Sequence, residues 1–196
     1  MRTSINTKSI ISLLLLSSVS FCFKDNCGSY RWFVKTLTDA EGAQVFTATA
    51  VPSSIDALTN ETRSAPDTEK DPQKRYADEK KVVKMEVTIS EIKMEGDKDF
   101  HIVLSSGNKT MVGEVPDGDC GAFANHPDLK KHFNDLRTQI MTEIGFTPGS
   151  QIRPVNKKAI IEGVPFWDEI SAGHIPTGSA KNQHEIHPII KITFSN

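Results

Sequence analysis

KDFHIVLSSGNKTMVGEVP, residues 98–116, decides how the rest of the chain is arranged. Phe100, Ile102 and Leu104 alternate with Asp99, His101 and Val103, and after Gly107 and Asn108 the residues Met111, Gly113 and Val115 alternate with Val112 and Glu114. Period-two alternation on both sides of a glycine–asparagine pair predicts two half-buried strands joined as a β-hairpin. A two-residue turn at Gly107 and Asn108 sets the register and puts His101 directly opposite Glu114, on the face turned away from the core.

Upstream, Val83, Met85, Val87 and Ile89 share one parity, which then switches to Ile92 and Met94, so this first strand needs a bulge near Ser90 and Glu91. Downstream, Pro127 suits a first helical position. Leu129, Phe133, Leu136, Ile140 and Ile144 then form an apolar stripe, and Gly145 suits the stop. Residues 159–167 (AIIEGVPFW) and 185–194 (EIHPIIKITF) read as the fourth and fifth strands, with Ile186, Ile190, Ile192 and Phe194 inward and Pro188 at an edge or bulge.

Strand, strand, strand, helix, strand, strand is the order of an OB-fold-like barrel. The expected class is all-β with one main helix, a five-stranded barrel over residues 81–196 plus an N-terminal extension. In such barrels ligands meet the second and third strands and the loops beside them. The long loop 168–184, carrying His174 and lying next to Trp167, is therefore a candidate binding element. Phe166 reads as core, and Trp167, of opposite parity, as the exposed aromatic of the pair.

Arg2 and Lys8 precede an apolar run at residues 10–16 and the small residues Ser17, Ser18 and Ser20, the pattern of a secretory signal peptide over residues 1–21. Either a general signal peptidase cuts before Phe21, or Val19 to Cys22 acts as a loose lipobox and Cys22 carries lipid. With Cys22 lipidated, Cys27 and Cys120 remain as a matched pair for a disulfide; with Cys22 retained, one of three thiols is left over.

Residues 22–80 form the extension and a surface connector. Trp32, Val34 and Leu37 are expected against the main domain, Arg31 and Lys35 in solvent, and the charge run 67–74 as solvated surface. Without Arg2 and Lys8, 21 basic residues face 25 acidic ones, a formal charge of about −4. Nucleic acid is not favoured by that balance.

The chain is similar to a group of small exported bacterial proteins, largely without assigned function, that share an OB-like core. The likeness rests on Arg31, Trp32, Val34, Lys35, Thr36, Leu37, Thr38 and Asp39; on Asp97, Asp99 and His101; and on Met111, Glu114, Val115, Pro116 and Cys120. It continues through residues 163–168 (GVPFWD) and 185–188 (EIHP). It implies a fold and an exported address, not a mechanism. Trp167 stands where such relatives tend to carry a second phenylalanine, and loop 175–184 departs from their shorter version.

The chemistry-bearing residues are Asp97, Asp99, His101, Glu114, Asp168, Glu185 and His187. Convergence of His101, Glu114, Glu185 and His187 would suit zinc or a similar divalent ion, or a general base with an orienting carboxylate. The alternative is a pair of structural hydrogen bonds, His101–Glu114 and Glu185–His187, that fix barrel register. The hairpin lacks the arginine that a nuclease of the staphylococcal type would need. No Ser-His-Asp set or cofactor fingerprint can be assembled. The expected function is a non-enzymatic, exported cell-envelope binding module without a cofactor, for a glycan, peptide or protein, with membrane contact only through a lipid anchor. A metal-dependent hydrolase is the rival.

Overall fold

The computed structural model describes residues 28, 30–63, 74–169 and 176–195. The expected signal peptide, Cys22, Cys27, His174 and all of the 67–74 charge run except Lys74 lie outside these residues. The described elements, in chain order, are α1 (Trp32–Lys35), α2 (Gly42–Phe46), the short strand β1 (Val51–Pro52), α3 (Ile55–Thr59), β2 (Val83–Met94), β3 (Phe100–Ser106), β4 (Lys109–Val115), α4 (Pro127–Ile144), β5 (Arg153–Trp167) and β6 (His184–Phe194), with 3-10 turns at Asp78–Lys80 and Gly121–Asn125. No helix among the described residues is long and apolar enough to cross a membrane.

The protein is mostly sheet. Six strands form one sheet in the order β1–β2–β3–β4–β6–β5, and β2 also pairs with β5. The hairpin takes the register read from its turn: His101 pairs with Glu114 and Ser106 with Lys109. The parity switch on β2 is a register shift between Ile89 and Glu91, seen against both β3 and β5. β6 runs parallel to β4 at Gly113 and Ile186 and antiparallel to β5. Around Pro188 the β5–β6 register slips, Gly163 facing Ile189 and Pro165 facing Ile186, so the proline sits in a bulge.

α4 closes one end of the sheet. Pro127 opens the helix, and Gly145 ends it in the left-handed region (φ 62°). Phe133, Leu136 and Ile140 are buried in the same apolar cluster as Phe123 and the strand residues Phe100, Met111 and Ile190, each large apolar side chain contributing roughly 1.5–3 kcal/mol on burial.

The N-terminal extension is more than a surface connector. It supplies the sixth strand, β1, which lies parallel to the first residues of β2, ahead of the part of β2 that β3 covers. Leu37, Val45, Ile55 and Leu58 join the same apolar cluster as the sheet. Arg31, expected in solvent, is 2% exposed, because Glu79 and the carbonyl of Lys74 give its guanidinium acceptors inside the fold. Arg75 and Asp39 form a second buried pair, through Nε at 2.9 Å and Nη2 at 2.5 Å. Sequence periodicity reports apolar stripes and is silent on such long-range ion pairs.

Candidate functional site

Three strands bring their outward side chains together. β3 carries His101, β4 carries Glu114, and β6, parallel to β4, carries Glu185 and His187. Glu114 lies between the two imidazoles: Oε1 is 3.4 Å from His101 Nδ1, and Oε2 is 2.9 Å from His187 Nδ1. His187 Nδ1 also lies 3.2 Å from Glu185 Oε1, and Asp99 Oδ2 stands 3.6 Å from His187 Nε2. Lys35, expected in solvent, reaches over from α1 to Asp168 Oδ1 at 3.1 Å and Glu185 Oε1 at 3.7 Å. Asp99, His101, Glu114, Asp168, Glu185 and His187 thus lie together, with Lys35 among them.

The outward face of the hairpin is not open. His101 and His187 are each 1% exposed. Loop residues 176–183 lie across β3, with the Thr177 carbonyl 2.9 Å from His101 Nε2 and Gly178 pressed against Val103, at a φ of 85° that favours glycine. Glu95 approaches His101 Nδ1 to 3.1 Å. Its place was legible, because Lys93 pairs with His101 across β2 and β3, and beyond the bulge Glu95 shares that parity.

The electrostatics follow from these contacts. Both His101 nitrogens point at acceptors, a carbonyl on one side and carboxylates on the other, so both carry hydrogen and the ring is cationic. Burial opposes that charge, but Glu114 and Glu95 overcome it and raise the His101 pKa to about 10. His187 is raised well above its ordinary value, Glu114 outweighing burial and Lys35. Glu114, although buried, is held well below the usual carboxylate range by His187 and His101. Burial and Asp168 push Glu185 up to about 7, and burial and Asp99 push Asp97 up to about 6. The result is a layer of alternating charges, most of them satisfied by the protein itself. His187 Nε2 is the exception, with no hydrogen-bond partner.

Trp167 does not line a groove. Its parity is outward as read, yet it is 1% exposed because the extension covers it. Its indole Nε1 donates to Asp78 Oδ2 at 2.6 Å, its amide donates to Glu79 Oε1 at 3.1 Å, and its ring stacks on His184 at 4.0 Å and 2°. Asp168 joins the cluster through Lys35, and His174 lies outside the described residues.

No family model, curated protein or solved structure matches this chain. Among the described residues, three groups could hold a cation: Asp99, Glu114 and His187; Glu95, His101 and Glu114; and Glu61, Asp78 and His184. The gap bounded by Val112, Asp168, Ser179, Gln183, His184 and Glu185 encloses about 10 Å³, room for one water at most. A far larger cavity, about 480 Å³, opens at the hairpin tip. It is lined by Asn108, Lys109 and Thr110 of the turn and β4, by Thr59 at the end of α3 and Asn60 after it, and by Ser179, Ala180 and Lys181. Sequence reasoning missed it, since its walls come from three segments distant in the chain.

Proposed function

We propose that this chain is an exported, non-enzymatic OB-fold-like binding domain of the bacterial cell envelope, and that it takes a glycan in the cavity at the hairpin tip. The OB-like barrel is supported by the ring of pairings: β2 with β3, β3 with β4, β4 in parallel with β6, β6 with β5, and β5 with β2. The export signal and a lipid at Cys22 rest on the N-terminal sequence.

The observation that carries the ligand class is the cavity lining. Hydroxyls of Thr59, Thr110 and Ser179, amides of Asn60 and Asn108, and ammonium groups of Lys109 and Lys181 offer donors and acceptors, interleaved with apolar surface in similar share. That suits a polyhydroxyl ligand better than a hydrophobic peptide. Lys109 is held by Asp56 at 2.5 Å and by Thr59 at 3.4 Å, which keeps one wall in place.

The rival reading, a metal-dependent hydrolase at His101, Glu114, Glu185 and His187, is favoured by one ligand atom each from Asp99, Glu114 and His187 lying within 4.8 Å of one another. It is disfavoured by the protonated rings and by their burial, His101 and His187 each being 1% exposed, which leaves a substrate no way in. A glycan array probed with the fluorescently labelled protein and with a Lys109→Ala, Lys181→Ala variant separates the two. Retention of one glycan class by the parent and its loss in the variant supports the proposal. No retention by the parent contradicts it.

A further inference from the structure

The third His–carboxylate group lies apart from the hairpin cluster, where the extension meets the start of β6. His184, at the first position of β6, is 1% exposed. Its Nδ1 lies 3.1 Å from the carbonyl oxygen of Leu58. A carbonyl only accepts, so Nδ1 carries the hydrogen and donates, and in the neutral ring Nε2 presents a bare lone pair. That lone pair has no hydrogen-bond partner and faces Asp78 Oδ2 at 3.5 Å. Asp78 Oδ2 already accepts from the Trp167 indole, and Asp78 Oδ1 is buried with no partner. Two electron-rich groups thus face each other with no hydrogen between them.

We propose that Glu61, Asp78 and His184 bind a divalent cation of the zinc class, which staples the N-terminal extension to β6. Each residue offers one ligand atom, and the three atoms lie within 4.8 Å of one another. One imidazole nitrogen and two carboxylates suit zinc or manganese. The supporting shell is also in place: the Leu58 carbonyl orients the imidazole, the Trp167 ring packs flat on it, and the indole N–H fixes the Asp78 carboxylate. Asn182 holds the approach by donating to the carbonyls of Leu58 and Glu61 at 2.9 and 3.0 Å. The Glu61 and Asp78 side chains are 34% and 18% exposed, which gives an ion a way in. Lys81, 3.6 Å from Glu61 Oε1, is the competing cation. The glycan reading is independent of this site.

The test uses the full exported chain, stripped with chelator and titrated with zinc alone and with manganese alone. Bound metal is read by elemental analysis, and the site by emission of Trp167 in a Trp32→Phe background, where it is the remaining indole of two. The expected result is one equivalent of one metal, a change in Trp167 emission, and affinity reduced about tenfold or more in Asp78→Asn and His184→Gln. Asp78→Asn keeps an acceptor for the indole, so it reads the site even if His184→Gln fails to fold. His187→Asn should retain the equivalent. No uptake of either metal by the parent, equal affinity in Asp78→Asn, or loss of the metal in His187→Asn instead would each overturn the proposal.

Discussion

Arg31 and Glu79 meet end to end inside the protein, Nη1 to Oε1 at 2.7 Å and Nη2 to Oε2 at 2.6 Å, with side chains 1% and 0% exposed. The same carboxylate accepts from the amides of Tyr76 and Trp167, at 2.8 and 3.1 Å. One glutamate therefore joins α1, the 3-10 turn and the end of β5. Removing only the cation leaves a buried carboxylate uncompensated. Arg31→Met should cost about 3 to 5 kcal/mol in urea unfolding. A double Arg31→Met, Glu79→Met protein should recover only part of that, because two buried amides lose their acceptor at about 1 to 3 kcal/mol each. A single variant as stable as the parent would show that the pair does not hold the extension in place.

The hairpin cluster makes stability fall with alkali. The His101 pKa is about 10 in the folded chain against an ordinary 6.5, so its contribution is complete below pH 6.5 and is lost as pH rises toward 10. His187 is shifted in the same direction and adds to the trend. Thermal melts across that window should show Tm of the parent declining, with a flatter profile for His101→Gln. Parallel profiles would mean that His101 is not cationic in the fold.

Gly163 lets β6 cross close to β5. A Cβ there would press on Ile186 Cγ2 and lie 2.8 Å from the Pro188 carbonyl oxygen, which is backbone and cannot swing aside. Gly163→Ala should cost about 1 to 3 kcal/mol. At Gly113 the neighbours are side-chain ends, Ile189 Cδ1 at 2.7 Å and Leu104 Cδ1 at 2.9 Å, which can shift rotamer. Gly113→Ala should therefore cost less, and the reverse order in denaturant midpoints would refute this reading of the crossing.

The Cys27–Cys120 disulfide is an expectation from the sequence, and Cys27 lies outside the described residues. A Cβ at Gly28 would lie 3.2 Å from Asp97 Oδ2, the amide of Asp117 donates to Asp99 Oδ1 at 2.8 Å, and the amide of Cys120 donates to the Asp117 carbonyl at 2.9 Å. A non-reducing digest should yield a peptide linking the two cysteines, and Cys120→Ser should lower stability by about 4 to 5 kcal/mol. Unlinked peptides would exclude the pair.

What the sequence disclosed is local. Gly107 and Asn108 gave the hairpin register, and with it the His101–Glu114 pair, because a two-residue turn admits one pairing. The Ile89 to Ile92 parity switch gave the bulge, and Pro127 and Gly145 marked the ends of α4. What stayed hidden depends on residues far apart in the chain. Lys35, Arg31 and Glu79 look like surface charges until the extension folds over β5 and β6. Trp167 looks exposed by parity until Asp78 and Glu79 cover it. Glu95 was within reach of strand parity, whereas the walls of the tip cavity were not.

The most direct measurement is backbone amide NMR of the isotopically labelled protein titrated with the oligosaccharide best retained on the array. Shift changes confined to the amides of Thr59, Asn60, Asn108, Lys109, Thr110, Ser179 and Lys181 are the expected result, with His101, Glu114, Glu185 and His187 unmoved. Changes centred on those four residues, with a silent hairpin tip, would contradict it and return the buried cluster to the centre of the search.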